Sequence, residues 1–141
     1  IIRCCVDIKR AIVARDAHDH GERQLLNFGH TVGHALERLS GYELSHGQGV
    51  AVGMAVMARA SERLGLCAPG EAGLLIGMMH TLSLPTDCPY GPREIFDAMQ
   101  ADKKRGGQHI TLVMMHALGD CRLHPMPMQE ALAVVEAGCA P

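Results

Sequence analysis

Arg23-Gln-Leu-Leu-Asn27-Phe-Gly-His30-Thr-Val-Gly-His34-Ala-Leu-Glu37, followed by Ser45-His-Gly-Gln48, decides how this chain is read. Leu25, Leu26, Val32, Leu36 and Leu39 recur at helical spacing, which predicts one amphipathic helix from near residue 20 to a stop at Gly41. Asp19-His-Gly-Glu22 has the spacing of a capping box that would open it. Ser45-His-Gly-Gln48 repeats that spacing at the head of a long small-residue helix, which carries Val50 to Leu64 and ends at Gly65. On a continuous helix, Arg23, Asn27, His30 and His34 form one polar stripe, being spaced by four, three and four residues. An arginine, an amide and two imidazoles are costly to bury without partners. Facing a cleft, the stripe suits an anionic, hydroxylated ligand and a metal ion.

Working outward, Ile2, Cys5, Ile8, Ile12 and Val13 share one face of a first helix that runs to about Ala14. Beyond Gly65, Pro69 starts a capped segment that runs to about Leu82 and is closed by Pro85. Pro92 suits the first position of a helix reaching about Ala101. Ile110 to Met114 reads as a buried strand, Gly119-Asp120 as a turn and Cys121 to Leu123 as a short return strand. A last helix from about Pro127 to Ala137 should close at Gly138. The expected fold is a mainly α, multihelical domain with one small β-hairpin.

The 141 residues make about one domain. A net charge of −2 supplies no field that would draw the chain to nucleic acid or an anionic membrane. Apolar residues at 48% and charged residues at 20% fit a folded, soluble domain, with no run approaching a membrane span. Aromatics are only 3%, so the core must be built from aliphatic residues and the nine Met. The six cysteines are scattered without a Cys-x-x-Cys pair, which favours reduced thiols in the cytoplasm over a secreted disulfide scaffold. The chain opens at Ile1 inside an amphipathic pattern, as a piece of a longer protein would.

His30 and His34, four residues apart, could share a metal ion, but Thr31 stands where a zinc protease needs its glutamate. His46 opens the next helix, and an antiparallel helix pair would return it toward His30. A zinc site wants a third protein ligand, for which Asp16, Asp19 and Glu43 are all conceivable. Gly47 to Gly53 has the wrong glycine spacing for a dinucleotide fingerprint and no strand leading into it, so helix packing is its natural use. Lys103-Lys104-Arg105 is either a solvated turn or, with the two glycines that follow, a fold over a phosphate.

The stretch from Arg23 to Glu37, with His46-Gly twelve residues after His34, strongly resembles the C-terminal domain of the 3-dehydroquinate synthase family. The likeness continues through Val50-Ala-Val-Gly-Met54, Ser61-Glu-Arg-Leu-Gly65, Asp102-Lys-Lys104 and Leu118-Gly-Asp120, and reaches back to Lys9. It implies the metal- and substrate-binding half of an enzyme whose N-terminal half is an NAD-binding domain. The implied reaction converts a phosphorylated heptulosonate to 3-dehydroquinate with loss of phosphate, a carbon–oxygen lyase step of the shikimate pathway to aromatic amino acids.

By that resemblance His30 and His46 are metal ligands for zinc or cobalt, with a third ligand, a glutamate, in the missing domain or the linker before Ile1. His34 is the active-site histidine that assists proton movement. Lys9, Arg23 and Asn27 bind the substrate's carboxylate and hydroxyls, as does one lysine of Asp102-Lys-Lys104, with Lys104 favoured over Lys103. The implied partners are the small phosphorylated sugar acid, the NAD-binding domain and, at full length, a second copy in a homodimer; neither nucleic acid nor membrane is implied, and the isolated domain should be inactive.

Two stretches depart from the family's pattern. Asp16-Ala-His-Asp19 replaces an acidic Asp-Glu-x-Glu, and His46-Gly-Gln-Gly49 replaces His-Gly-Glu-Ala. The second change would take a possible carboxylate acceptor from beside His46. The alternatives are a related sugar-phosphate cyclase with a differently charged substrate, and a non-catalytic remnant or interaction module.

Overall fold

The computed structural model describes residues 1–18, 21–103 and 108–140. Six α-helices and one antiparallel hairpin follow in the order α1 (Ile2–Arg15), a 3₁₀ helix (Glu22–Asn27), α2 (His30–Leu39), α3 (His46–Arg63), α4 (Glu71–Thr81), α5 (Pro92–Lys103), β1 (His109–Ala117), β2 (Asp120–Pro127), a 3₁₀ turn (Met128–Glu130) and α6 (Ala131–Cys139). The mainly helical fold with one hairpin is as expected from sequence. No helix among the described residues is long and apolar enough to cross a membrane.

α3 is the hub. Its small residues Ala51, Ala55, Ala58 and Ala60 are buried, and α2, α4, α6 and β1 all pack against it. Its start is legible in the residues: Ser45 N–H donates to Gln48 Oε1 at 3.1 Å, and Ser45 Oγ donates to the same oxygen at 2.7 Å. Gly65, at φ +71, ends the segment in the left-handed region as predicted. The main core joins Val32, Leu36, Val52, Val56, Ile95, Ile110, Leu112, Met114 and Val135. A smaller cluster of Ala58, Cys67, Ala72 and Met115 lies on the other side of β1. Among the described residues only one strand neighbours β1, yet both its faces are covered, which explains its run of apolar residues.

β1 is tied to α3 through Ser61, which is fully buried. Its Oγ donates to Met57 O at 2.8 Å and accepts from Met115 N–H at 3.0 Å. Ser61→Ala would leave that buried N–H unsatisfied. A loss of about 1–3 kcal/mol in urea unfolding is expected; an unchanged midpoint would show that the strand is held without this bond.

Four expectations need correction. The single helix from near residue 20 to Leu39 is instead a 3₁₀ helix and α2, separated at Phe28-Gly29, with Gly29 in the left-handed region at φ +79. The reason is tertiary: a Cβ at Gly29 would lie 2.5 Å from Met54 N, so the chain breaks where it must pass α3 backbone to backbone. β2 extends to Pro127 rather than ending near Leu123. Gly138 does not close the last helix but lies buried within α6, where its bare Cα meets the Val56 carbonyl. The apolar face expected on α1 is largely exposed, with Ile2 at 82% and Ile8 at 59%, because that helix rests mainly on the 3₁₀ helix at one end. The expected cap at Asp19 falls outside the described residues. Asp16 does comparable work, its Oδ2 accepting from the N–H groups of Gly21 (2.8 Å) and Arg23 (3.1 Å).

Candidate metal centre

The α2–α3 pair builds the site. The helices run antiparallel and touch through glycines: a Cβ at Gly33 would lie 3.0 Å from the Gly49 carbonyl, and one at Gly49 would lie 3.1 Å from Gly33 O. With no side chains between them here, the helices come close enough for residues on their facing sides to meet.

His30 is the first residue of α2 and His46 the first of α3. Their ring centroids lie 5.4 Å apart, with His34 one turn along α2 at 5.8 Å from His30 and 5.7 Å from His46. The three imidazoles therefore cluster where α2 crosses the start of α3. Glu37 joins them: its Oε1 accepts from His46 Nδ1 at 2.9 Å, and ligand atoms of His34, Glu37 and His46 all lie within 4.8 Å of one another.

Hydrogen bonding orients two of the rings. His30 Nδ1 faces Phe28 O at 3.4 Å, as His46 Nδ1 faces Glu37. A proton held on each Nδ1 leaves Nε2 with its lone pair, the form that binds a metal. Burial pushes the pKa of His30 down, and neighbouring His34 and His46 add to that effect against the opposing pull of the Phe28 carbonyl and Glu37. The neutral ring is thus favoured. Clustered imidazoles with outer acceptors are a donor set that fits zinc or cobalt.

The sequence singled out His30, His34 and His46 and missed Glu37. Its signal was present, since Glu37 follows His30 by seven residues and so shares the histidine face of α2. Of the ligand alternatives, Asp16 binds backbone N–H groups in the loop after α1, and Glu43 is exposed in the α2–α3 connection. Neither belongs to the one group of three potential ligands found among the described residues, His34, Glu37 and His46, which also leaves out His30. Asp19 lies outside those residues.

The other expected residues are distributed differently. Arg23 and Asn27 sit on the 3₁₀ helix, so they are not on one helical stripe with the histidines; Arg23 Nη1 donates to Ala17 O at 3.0 Å. Lys9 is exposed on α1, whose C-terminal end packs on that 3₁₀ helix. Lys103 ends α5, and Lys104 lies outside the described residues. Gln48 Oε1 accepts from Ser45 N–H and Oγ at the start of α3. The carboxylate acceptor suspected lost at position 48 is supplied by Glu37.

The family model described as "3-dehydroquinate synthase C-terminal" matches residues 1–105. A 3-dehydroquinate synthase of Streptococcus suis (strain 05ZYH33) is 39% identical over 138 residues, covering 96% of this chain and 39% of that protein. One from Pyrococcus abyssi is 38% identical over 135 residues, covering 96% of this chain and 40% of its own length. The chain thus spans about two fifths of the curated relatives it matches. Among solved structures, 2-deoxy-scyllo-inosose synthase complexed with carbaglucose-6-phosphate, NAD+ and Co2+ superposes with a TM-score of 0.80 at 22% identity, covering 96% of this chain and 40% of that one. A 2-epi-5-epi-valiolone synthase from Streptomyces hygroscopicus subsp. jinggangensis 5008, with NAD+ and Zn2+ bound, gives 0.76 at 25% identity, covering 94% and 37%.

Proposed function

Since the chain belongs to the 3-dehydroquinate synthase C-terminal family, we propose that it is the metal- and substrate-binding half of a 3-dehydroquinate synthase. Joined to an NAD-binding domain, it would convert a phosphorylated heptulosonate to 3-dehydroquinate with release of phosphate, in the cytoplasm and as a homodimer. The observation that carries this reading is the clustering of the His30, His34 and His46 rings between α2 and α3, at centroid distances of 5.4–5.8 Å.

His30 and His46 would hold a divalent zinc or cobalt ion through their Nε2 atoms. The bound ion would supply Lewis acidity, lowering the pKa of a substrate hydroxyl and polarising the carbonyl formed from it. His34, exposed beside the two ligands, would take the proton from that hydroxyl and return it later, because an imidazole both accepts and donates. Lys9, Arg23, Asn27 and Lys104 would grip the carboxylate, hydroxyls and phosphate. A guanidinium forks bidentately onto a carboxylate, and Arg23, engaging Ala17 O through Nη1, is aimed by the loop before its own 3₁₀ helix. Fixing the substrate by its anionic ends would hold the reacting groups in register and so supply proximity.

The reading is tested by combining the chain with the NAD-binding half of a 3-dehydroquinate synthase and following phosphate release. Turnover of the heptulosonate phosphate, with none of a neutral hexose phosphate, is expected, and none by the chain alone. His34→Ala should lower kcat by about 10²–10⁴-fold while zinc binding persists. A preference for the neutral sugar would favour the second reading, a related sugar-phosphate cyclase, whose support is the fold shared with the inosose and valiolone synthases. No release at any ratio of the halves would favour a non-catalytic module.

A further inference from the structure

The carboxylate of Glu37 stands behind His46, on the side of the ring away from Nε2. Its Oε1 is 2.9 Å from His46 Nδ1, and its side chain is 17% exposed against 58% for His46. The better-buried partner is therefore the one that sets the geometry. Two features hold Glu37 in place. It lies in the last turns of α2, where its own carbonyl accepts from Ser40 Oγ at 2.9 Å and from Tyr42 N–H at 2.8 Å, anchoring the backbone beneath the side chain. Gly49 clears the path to His46, because a Cβ there would lie 3.2 Å from Glu37 Cγ and 3.5 Å from Oε1.

We propose that Glu37 is a positioning residue for the metal centre: it holds the proton of His46 on Nδ1, fixes the ring's orientation and so presents Nε2 to the cation. The proposal rests on the metal reading given above. Without the carboxylate, an exposed imidazole at the start of α3 could take either tautomer and rotate about χ2. His30 has the equivalent restraint from a backbone carbonyl, Phe28 O at 3.4 Å, which no side-chain substitution removes. His46 depends on a side chain of another helix, so the mutable half of the orientation lies in Glu37. A carboxylate behind a ligating imidazole also raises that ligand's basicity, and loss of such a partner weakens metal binding about 10- to 100-fold. Because Oε1 already engages Nδ1, Glu37 acts on the cation through His46 rather than as a ligand beside it.

The test has two arms on the full chain. In the metal-free protein at alkaline pH, long-range proton–nitrogen NMR should report the Nδ1–H tautomer for His46 in the wild type, and a shift toward Nε2–H in Glu37→Ala. Zinc calorimetry should show Glu37→Ala weakened by about 10- to 100-fold. Glu37→Gln should recover most of that loss, since its amide oxygen still accepts from Nδ1. Circular dichroism of both variants reports whether they remain folded, and the glutamine variant keeps the question answerable if alanine does not. An Nε2–H tautomer in the wild type overturns the proposal, as does unchanged zinc affinity in Glu37→Ala. Glutamine as deleterious as alanine would make Glu37 a direct ligand and overturn it too. If the wild type binds no zinc, the metal reading falls and takes the role of Glu37 with it, whereas a wrong tautomer with zinc binding intact removes the positioning step alone.

Discussion

Gly53→Ala is expected to lower stability by about 3 kcal/mol and to disrupt the proposed metal centre with the fold. A Cβ at residue 53 would run into the Gly29 carbonyl oxygen and lie 2.9 Å from Gly33 N. Both are backbone atoms, so no rotamer change relieves the clash, and α2 and α3 must move apart. A domain stable by roughly 5–15 kcal/mol loses much of its margin in this way. Gly73→Ala is the matched control: it lies within α4 with nothing within 4 Å of its would-be Cβ. There the same change should stabilise by about 0.4–1 kcal/mol, through helix propensity and a less disordered unfolded chain. Urea unfolding of the two variants measures the contrast, and similar midpoints would contradict the backbone contact between α2 and α3.

Removing either imidazole proposed to bind the metal should have the largest effect on ligation. His30→Ala and His46→Ala are each expected to lower zinc affinity by on the order of 100-fold or more, a ligand's share of the roughly 10–16 kcal/mol that complete structural zinc sites provide. The chain alone should bind zinc weakly, because two imidazoles leave the coordination sphere incomplete. Affinity should also fall as pH is lowered, since protonated rings cannot coordinate. Calorimetry with zinc separates the roles: loss in both variants with retention in His34→Ala supports two ligands and a neighbouring proton carrier. Unchanged binding in His30→Ala and His46→Ala would rule both histidines out as ligands.

How much of this the residues announce depends on whether the deciding contact is local. Ser45 and Gln48 satisfy each other within one turn, so the start of α3 can be read from four letters, and with it the position of His46. The spacing of His30 and His34 is likewise a property of one helix. The break at Phe28-Gly29 is not, because what forbids a continuous helix is Gly53 and Met54, two dozen residues away. Reading the polar stripe straight through that break put Arg23 and Asn27 in line with the histidines, whereas the chain carries them off on a separate 3₁₀ helix. The role of Glu37 is hidden in the sequence for a different reason. Its place on the histidine face follows from periodicity, but its partner belongs to the next helix and is reached only because Gly49 leaves space. On α1 the amphipathic pattern gave the helix correctly but not its burial, since periodicity identifies an apolar face without saying what covers it.

The glycine crossing also bears on how this domain can change over time. In most helix pairs the separation is set by interdigitated side chains, so exchanging one aliphatic residue for another shifts whatever the pair supports. At Gly29, Gly33, Gly49 and Gly53 the spacing is main chain on main chain. Val52, Val56 and Leu36 lie in the core beyond that seam and can drift among similar volumes while the distance between the His30 and His46 rings stays put. Mutational tolerance in the interior is thereby insulated from the chemistry, and the intolerance is concentrated in four residues that carry no side chain at all.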